Sequence, residues 1–175
     1  MARFPGKGLA VLLGCLVLWE VLARQSGALA LYFPPASQVL ATLATIIGNG
    51  ELLDHIAASL LRFAEGYALA AALAVSAGLC LGLWRPLYAL FEPLIELLRP
   101  MPSPATIPIA ILFLGIGDQM KVAVTVYACS WPILLNTIDG VRAIDPVLLN
   151  TAATFRLGPW ERFRKVVLPA ASPQI

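Results

Sequence analysis

The chain has 175 residues, of which 59% are hydrophobic and 13% charged, against roughly 45–50% and 25% in soluble domains. That balance excludes an ordinary soluble domain and reads as an integral, all-α membrane protein. A formal net charge of +2 gives no footprint for nucleic acid, so the placement of the basic residues says more than their sum.

The N-terminus, with Arg3 and Lys7 before GLAVLLGCLVLWEVLA, has the look of a signal peptide, and Leu12-Leu13-Gly14-Cys15 that of a lipoprotein cleavage site. The apolar run continues past Cys15 to Ala23, long enough for an uncleaved first membrane helix over about residues 8–28. Glu20 and Arg24 stand four apart on one face of it and predict an intrahelical ion pair. After Phe33-Pro34-Pro35, Ser37 is placed to cap a short helix. Its Val39, Leu40, Leu43 and Ile46 recur at helical spacing and suit a helix lying along the outer membrane face. Gly48-Asn49-Gly50 then turns the chain.

A second long helix is predicted from about residue 52 to Trp84, dense in Ala68, Ala70, Ala71, Ala72, Ala74, Ala77, Gly78 and Gly82. Small residues let helices approach closely, so this one belongs inside a bundle. Arg62 and Glu65 are expected to pair at its outer end, and His55, the single histidine, reads as an interfacial polar residue, not a metal ligand. Cys15, Cys80 and Cys129 lie far apart in apolar stretches and are expected to be buried free thiols.

Arg85-Pro86 makes a tight turn. Six prolines from Pro86 to Pro108 forbid a straight third helix, with Pro100, Pro102 and Pro104 the main break. Glu92 and Glu96 lie one turn apart, and Arg99 three residues beyond Glu96. Carboxylates at membrane depth usually face a bundle interior or aqueous cavity, so Glu92, Glu96, Arg99, Pro100 and Pro102 are candidate pathway or gate residues. The plainer alternative is a structural Glu96–Arg99 pair. Gly115 to Asp118 reads as a short turn before a fourth helix from Lys121 to about Ile138, which should end through Asn136, Asp139 and Gly140.

The stretch from Arg142 to Pro169 holds five of the twelve Lys and Arg residues. Asp145 is placed as an N-cap with Pro146 at the first helical position. Leu148, Leu149, Ala152 and Phe155 form an apolar side of one short helix, Gly158-Pro159 breaks it, and Trp160, Phe163, Val166 and Val167 define a second. Leu168-Pro169 should close the segment. With the N-terminus in the cytoplasm, Arg3, Lys7, Arg85 and the five basic residues of 142–165 fall inside, while Arg24 and Lys121 fall outside. Eight against two favours that orientation. On these residues alone the segment is either a membrane-surface helix pair or a docking element for a partner.

Several stretches together resemble the permease subunits of bacterial ABC importers of the nitrate, sulfonate and taurine family. They are Tyr32-Phe33-Pro34-Pro35-Ala36-Ser37, Leu98-Arg99-Pro100-Met101-Pro102, Ile107-Pro108-Ile109-Ala110, Phe113-Leu114-Gly115-Ile116-Gly117, Pro132 to Thr137, and Asp139-Gly140-Val141. The family's signature, E-A-A, three residues, G, nine residues, I-x-L-P, ends here on Leu168-Pro169 and sets Asn150-Thr151-Ala152 at E-A-A and Arg156 at G. The Glu and the Gly are absent, and Gly158 is available to take over the turn. What the resemblance implies is a permease domain over 1–175 with four membrane helices and a cytoplasmic coupling helix in 142–169, docking on an ATPase subunit through Asn150, Thr151, Ala152, Ala153, Arg156 and Gly158. It also implies a solute-binding protein outside, a second permease copy, and the bacterial inner membrane as location. Family members continue for two further helices beyond the place of Pro169 to Ile175, so the chain is expected to be C-terminally incomplete.

No G-x-x-x-x-G-K-[ST] motif, metal cluster or nucleophile–base set is present in the sequence, so no cofactor is expected and ATP hydrolysis is assigned to a separate subunit. Two rivals come from the residues: a proton-coupled secondary transporter using Glu92 and Glu96, and a membrane anchor or assembly subunit that transports nothing.

Overall fold

The computed structural model describes residues 5–25 and 32–175, and every described regular element is helical. Arg3 and residues 26–28 of the expected first helix lie outside the described residues. The helices are α1 Pro5–Gln25, α2 Ala36–Gly48, α3 Glu51–Leu83, α4 Arg85–Leu98, α5 Ile107–Leu114, α6 Asp118–Arg142, α7 Pro146–Thr154, α8 Pro159–Arg162 and α9 Leu168–Ala171. Three of them, α1, α3 and α6, are long and apolar enough to cross a membrane. A fourth crossing arises if α4 and the Ser103–Leu114 stretch, bent by 91° at their junction, count as one broken span. The chain divides into two compact units, Met1–Ala58 and Ser59–Ile175.

In the first unit the predicted Glu20–Arg24 pair forms at 2.6 Å and is half of a larger joint. The Glu20 carboxylate also accepts from the Ser37 backbone N–H at 2.9 Å and from its hydroxyl at 2.7 Å. Ser37 is therefore not the cap: α2 begins at Ala36 after Pro35, and the carboxylate of Glu20 satisfies one of the free N–H groups of its first turn instead. Beside it, Trp19 Nε1 donates to the Pro34 carbonyl at 3.1 Å and its ring meets Phe33 with centroids 5.6 Å apart. The 13 residues of α2 bury none of their side chains.

In the second unit the small buried residues of α3, Gly66, Ala70, Ala74, Gly78 and Gly82, each stand four after the last, and Leu81 is the other buried residue of the helix. That spacing places them along one i±4 ridge, a line inclined to the helix axis. The line faces α6. A Cβ added at Gly66 would lie 2.8 Å from Thr125 Cβ, one at Gly78 2.6 Å from Thr137 Cβ, and one at Gly82 2.8 Å from Val141 Cβ. Thr137 is fully buried there, and its hydroxyl is satisfied by the Ile133 carbonyl at 2.7 Å, so the seam contains no orphaned polar group at that point. The expected pair at the other end of α3 is corrected: Arg62 bonds Asp118, the first residue of α6, at 2.8 Å and not Glu65. Asp118 sits where the α6 dipole favours an acid, and Lys121 shares it at 3.4 Å.

Two other expectations change. Asp139 and Gly140 do not end α6, which runs on to Arg142. Gly140 is there for close approach: a Cβ would lie 3.2 Å from the Ala171 carbonyl and from Gln174 Cβ. Cys15 and Cys80 are free but exposed, with Cys129 half-buried, because they sit on helix faces that other described residues leave uncovered or only partly covered.

The proline cluster works as expected. Leu98 ends α4; its carbonyl, whose partner four residues on would be Pro102 with no N–H, accepts from Met101 N–H at 3.2 Å and from the Tyr127 hydroxyl of α6 at 2.9 Å. Gly115, at φ 72°, ends α5.

Gly78→Ala should destabilise the protein by about 1–3 kcal/mol, since the added methyl must push back a Cβ and not the end of a flexible chain. Thermal unfolding of detergent-solubilised protein, with exposed Ala72→Leu as the tolerated control, measures it.

Candidate functional site

The segment after α6 is built by local chemistry at each corner. Asp145 caps α7, its carboxylate accepting from Val147 N–H at 2.8 Å, with Pro146 in the first turn. At the far end Leu157 N–H reaches the Ala152 carbonyl at 3.1 Å and Arg156 N–H the Ala153 carbonyl at 2.9 Å. This pair of bonds is the Schellman closure, which demands a left-handed residue at the position of Arg156. Arg156 has φ 53° and, among the described residues, is the one non-glycine with positive φ. Gly158, by contrast, has φ −63° and is the cap residue just before α8. The turn therefore stays at Arg156, the G position of the signature register, and does not pass to Gly158.

α8 starts with a second cap. The Glu161 carboxyl is held below its usual range, first by the Lys165 ammonium that bonds it at 2.9 Å and then by the backbone N–H of Gly158, a reach back to the cap position. Beyond it the chain does not stop at Leu168-Pro169 as expected. Phe163–Val167 widens into a π-turn, in which Leu168 N–H bonds the Phe163 carbonyl five residues back, and α9 follows through Ala171. Pro169 has no N–H to offer and its ring crowds the preceding turn. The widened turn just before it is where such a conflict is absorbed.

The apolar side read from α7 is two faces. Ala152, at 3% exposure, points into its own chain, and Leu149 packs on the cluster of Val141, Ile144, Val167 and Ala171. Leu148 and Phe155 point outward with Val147, Phe155 being 74% exposed. Trp160 is also exposed and stacks on Phe163 with centroids 5.7 Å apart. Of the other candidate docking residues, Asn150, Thr151, Ala153 and Arg156 are exposed and Gly158 half-buried. The result is a short helix clamped on one side and bare on the other.

The candidate pathway residues are arranged more loosely. Glu92, Glu96, Arg99, Pro100 and Pro102 are all exposed. Glu96 and Arg99 approach to 3.9 Å, the edge of contact for an ion pair, and Glu92 has no ion pair among the described residues. None of the five lines a described cavity.

Membrane-crossing helices, a proline-broken span and a capped amphipathic loop define an all-α, multi-pass membrane protein of the transporter permease class. The chain belongs to the family of binding-protein-dependent transport system inner membrane components, whose sequence model matches residues 70–175. It is similar to the bicarbonate transport system permease protein of Synechococcus elongatus, at 34% identity over 95% of this chain and 63% of that protein. It is also similar to the taurine transport system permease protein of Escherichia coli, at 31% over 95% of this chain and 62% of that one. An ABC transporter permease protein of Methanocaldococcus jannaschii is 36% identical over 74% of this chain and 49% of its own length. The chain thus spans from about half to two thirds of the length of these relatives.

Arg156→Gly should stabilise the fold by about 1 kcal/mol, by relieving the cost of a left-handed non-glycine residue, and Arg156→Val should destabilise it by a similar amount. Paired melting curves in the same detergent check both signs.

Proposed function

We propose that the chain is the membrane-embedded part of an ATP-driven importer for a small solute, and that α7 is the element through which a separate ATPase subunit drives it. One observation supports this reading most directly. Within the family's matched region, α7 is fixed inward by Ala152 and Leu149 and presents Val147, Leu148 and Phe155 uncovered. An exposed aromatic and aliphatic patch on a short helix is what a groove on a partner takes up. Asn150, Thr151, Ala153, Arg156 and Gly158 border that patch, while Ala152 serves by holding the helix in place.

The remaining parts follow the family. A second permease copy completes the pathway, a solute-binding protein delivers the solute from outside, and the N-terminus lies in the cytoplasm, which puts the α7 loop on the ATPase side. Sulfonates, taurine, nitrate and bicarbonate are the solute classes in view. The first three come with the family, and relatives named for taurine and bicarbonate transport support the range. The break after α4, with Glu92, Glu96, Arg99, Pro100 and Pro102, borders the pathway between the copies, since irregular backbone at membrane depth is tolerated next to protein or water.

Leu148→Asp with Phe155→Asp should cut copurification of the full-length permease with its ATPase by about tenfold or more, as expected when the centre of a docking patch is removed. The melting temperature should hold, because both side chains are exposed. An undiminished complex with normal stimulated ATP hydrolysis removes the docking role. For the pathway, Glu92→Gln with Glu96→Gln should slow solute uptake severalfold at unchanged expression and unchanged ATPase binding. Unaltered uptake takes these carboxylates out of the pathway.

A further inference from the structure

At the end of the second unit that carries the α7 loop lies a cavity of about 880 Å³, well within the size of small-molecule sites. The α3–α4 turn, the end of α6, the inner side of α7 at Leu149 and the α8 region from Leu157 to Val167 border it. Three guanidinium groups border it, those of Arg85, Arg142 and Arg162, and no Asp or Glu is among its described lining residues. None of the three is in an ion pair among the described residues, in contrast to Arg24, Arg62, Arg99, Lys121 and Lys165, which all have carboxylate partners. Arg142 is held in place over the Tyr88 ring, its Cζ 3.7 Å from the centroid, a contact that orients the guanidinium and leaves its charge unneutralised. The wall behind the arginines is apolar and well packed, made by Val141, Ile144 and Val167, all buried.

Three exposed arginines without an ion-pair partner, on the rim of one concave space, raise the local potential for an anion. Guanidinium pairs with phosphate through paired N–H donors. The geometry points to a binding site for an anionic phosphate group at this corner, with the arginines on the phosphate and the apolar wall against whatever it is attached to. The attachment that suits a basic, apolar-backed pocket between membrane helices is the glycerol and acyl base of a phospholipid. The site is separate from the exposed face of α7 and stands whether or not α7 docks an ATPase. Lipid at this corner would touch α3, α4, α6 and α8 together, so its presence would bias how the loop sits on the bundle.

The test uses the full-length protein in a neutral detergent, with native mass spectrometry of bound short-chain phosphatidylglycerol, phosphatidylcholine and inorganic phosphate. Wild type should retain phosphatidylglycerol about tenfold better than phosphatidylcholine, and Arg85→Gln with Arg162→Gln should remove that preference. This double variant keeps the Arg142–Tyr88 contact, and an unchanged melting temperature confirms that it folds. Arg164→Gln, which lies outside the cavity lining, should bind like wild type. Retention of inorganic phosphate alone, lost in the same double variant, would uphold the phosphate site and assign it to a free anion. Equal retention of the two lipids by wild type with no phosphate bound, or equal phosphatidylglycerol retention by the double variant, would overturn the proposal.

Discussion

The second unit depends on how close α3 and α6 come. In lipid, apolar burial gives helices no reason to prefer each other over acyl chains, so association rests on van der Waals contact and hydrogen bonds. Contact is greatest where nothing protrudes, and the line Gly66, Ala70, Ala74, Gly78, Gly82 is such a place. From that seam the rest follows. It brings Thr137 into full burial, sets Ile138 against Leu81 and Ile95, and lets Arg62 reach Asp118. It also fixes the end of α6 from which the loop departs.

Much of this was legible in the residues. The membrane class followed from composition, the break after α4 from its prolines, and the start of α7 from Asp145 and Pro146, because each rests on local covalent or backbone chemistry. The α3 region was readable as small-residue-rich, and the period of four was there to be counted, since Gly66 and Gly78 stand three steps of four residues apart. What could not be read locally was decided by distant parts of the chain. Asp139-Gly140 has the look of a helix stop, yet α6 continues because Ala171 and Gln174 need the space over Gly140. Arg62 had a nearer acid in Glu65, but the turn at Gly115–Gly117 delivers Asp118 in a better place. Leu168-Pro169 reads as a terminator, and the π-turn before it removes the conflict that would have made it one.

The candidate site divides in the same way. Its register was proposed from spacing; the backbone shows that the left-handed turn lies at Arg156, a position that no local composition signal marked. Which side of α7 faces out was not in the sequence, because Leu148, Leu149, Ala152 and Phe155 are equally apolar and only packing against Val141 and Ile144 separates them. An amphipathic pattern told that a face is buried; the neighbouring chain decided which residues belong to it.

Gly140 has a further meaning for the loop. The chain that left α6 at Arg142 returns to lie on α6 only two residues earlier, with Ala171 and Gln174 in the space a side chain at Gly140 would fill. The loop is thus stapled at both feet to a single helix, like the bow of a handle. The helix that carries both feet is also the one packed on the glycine-lined ridge of α3, so the loop and that seam share a single support.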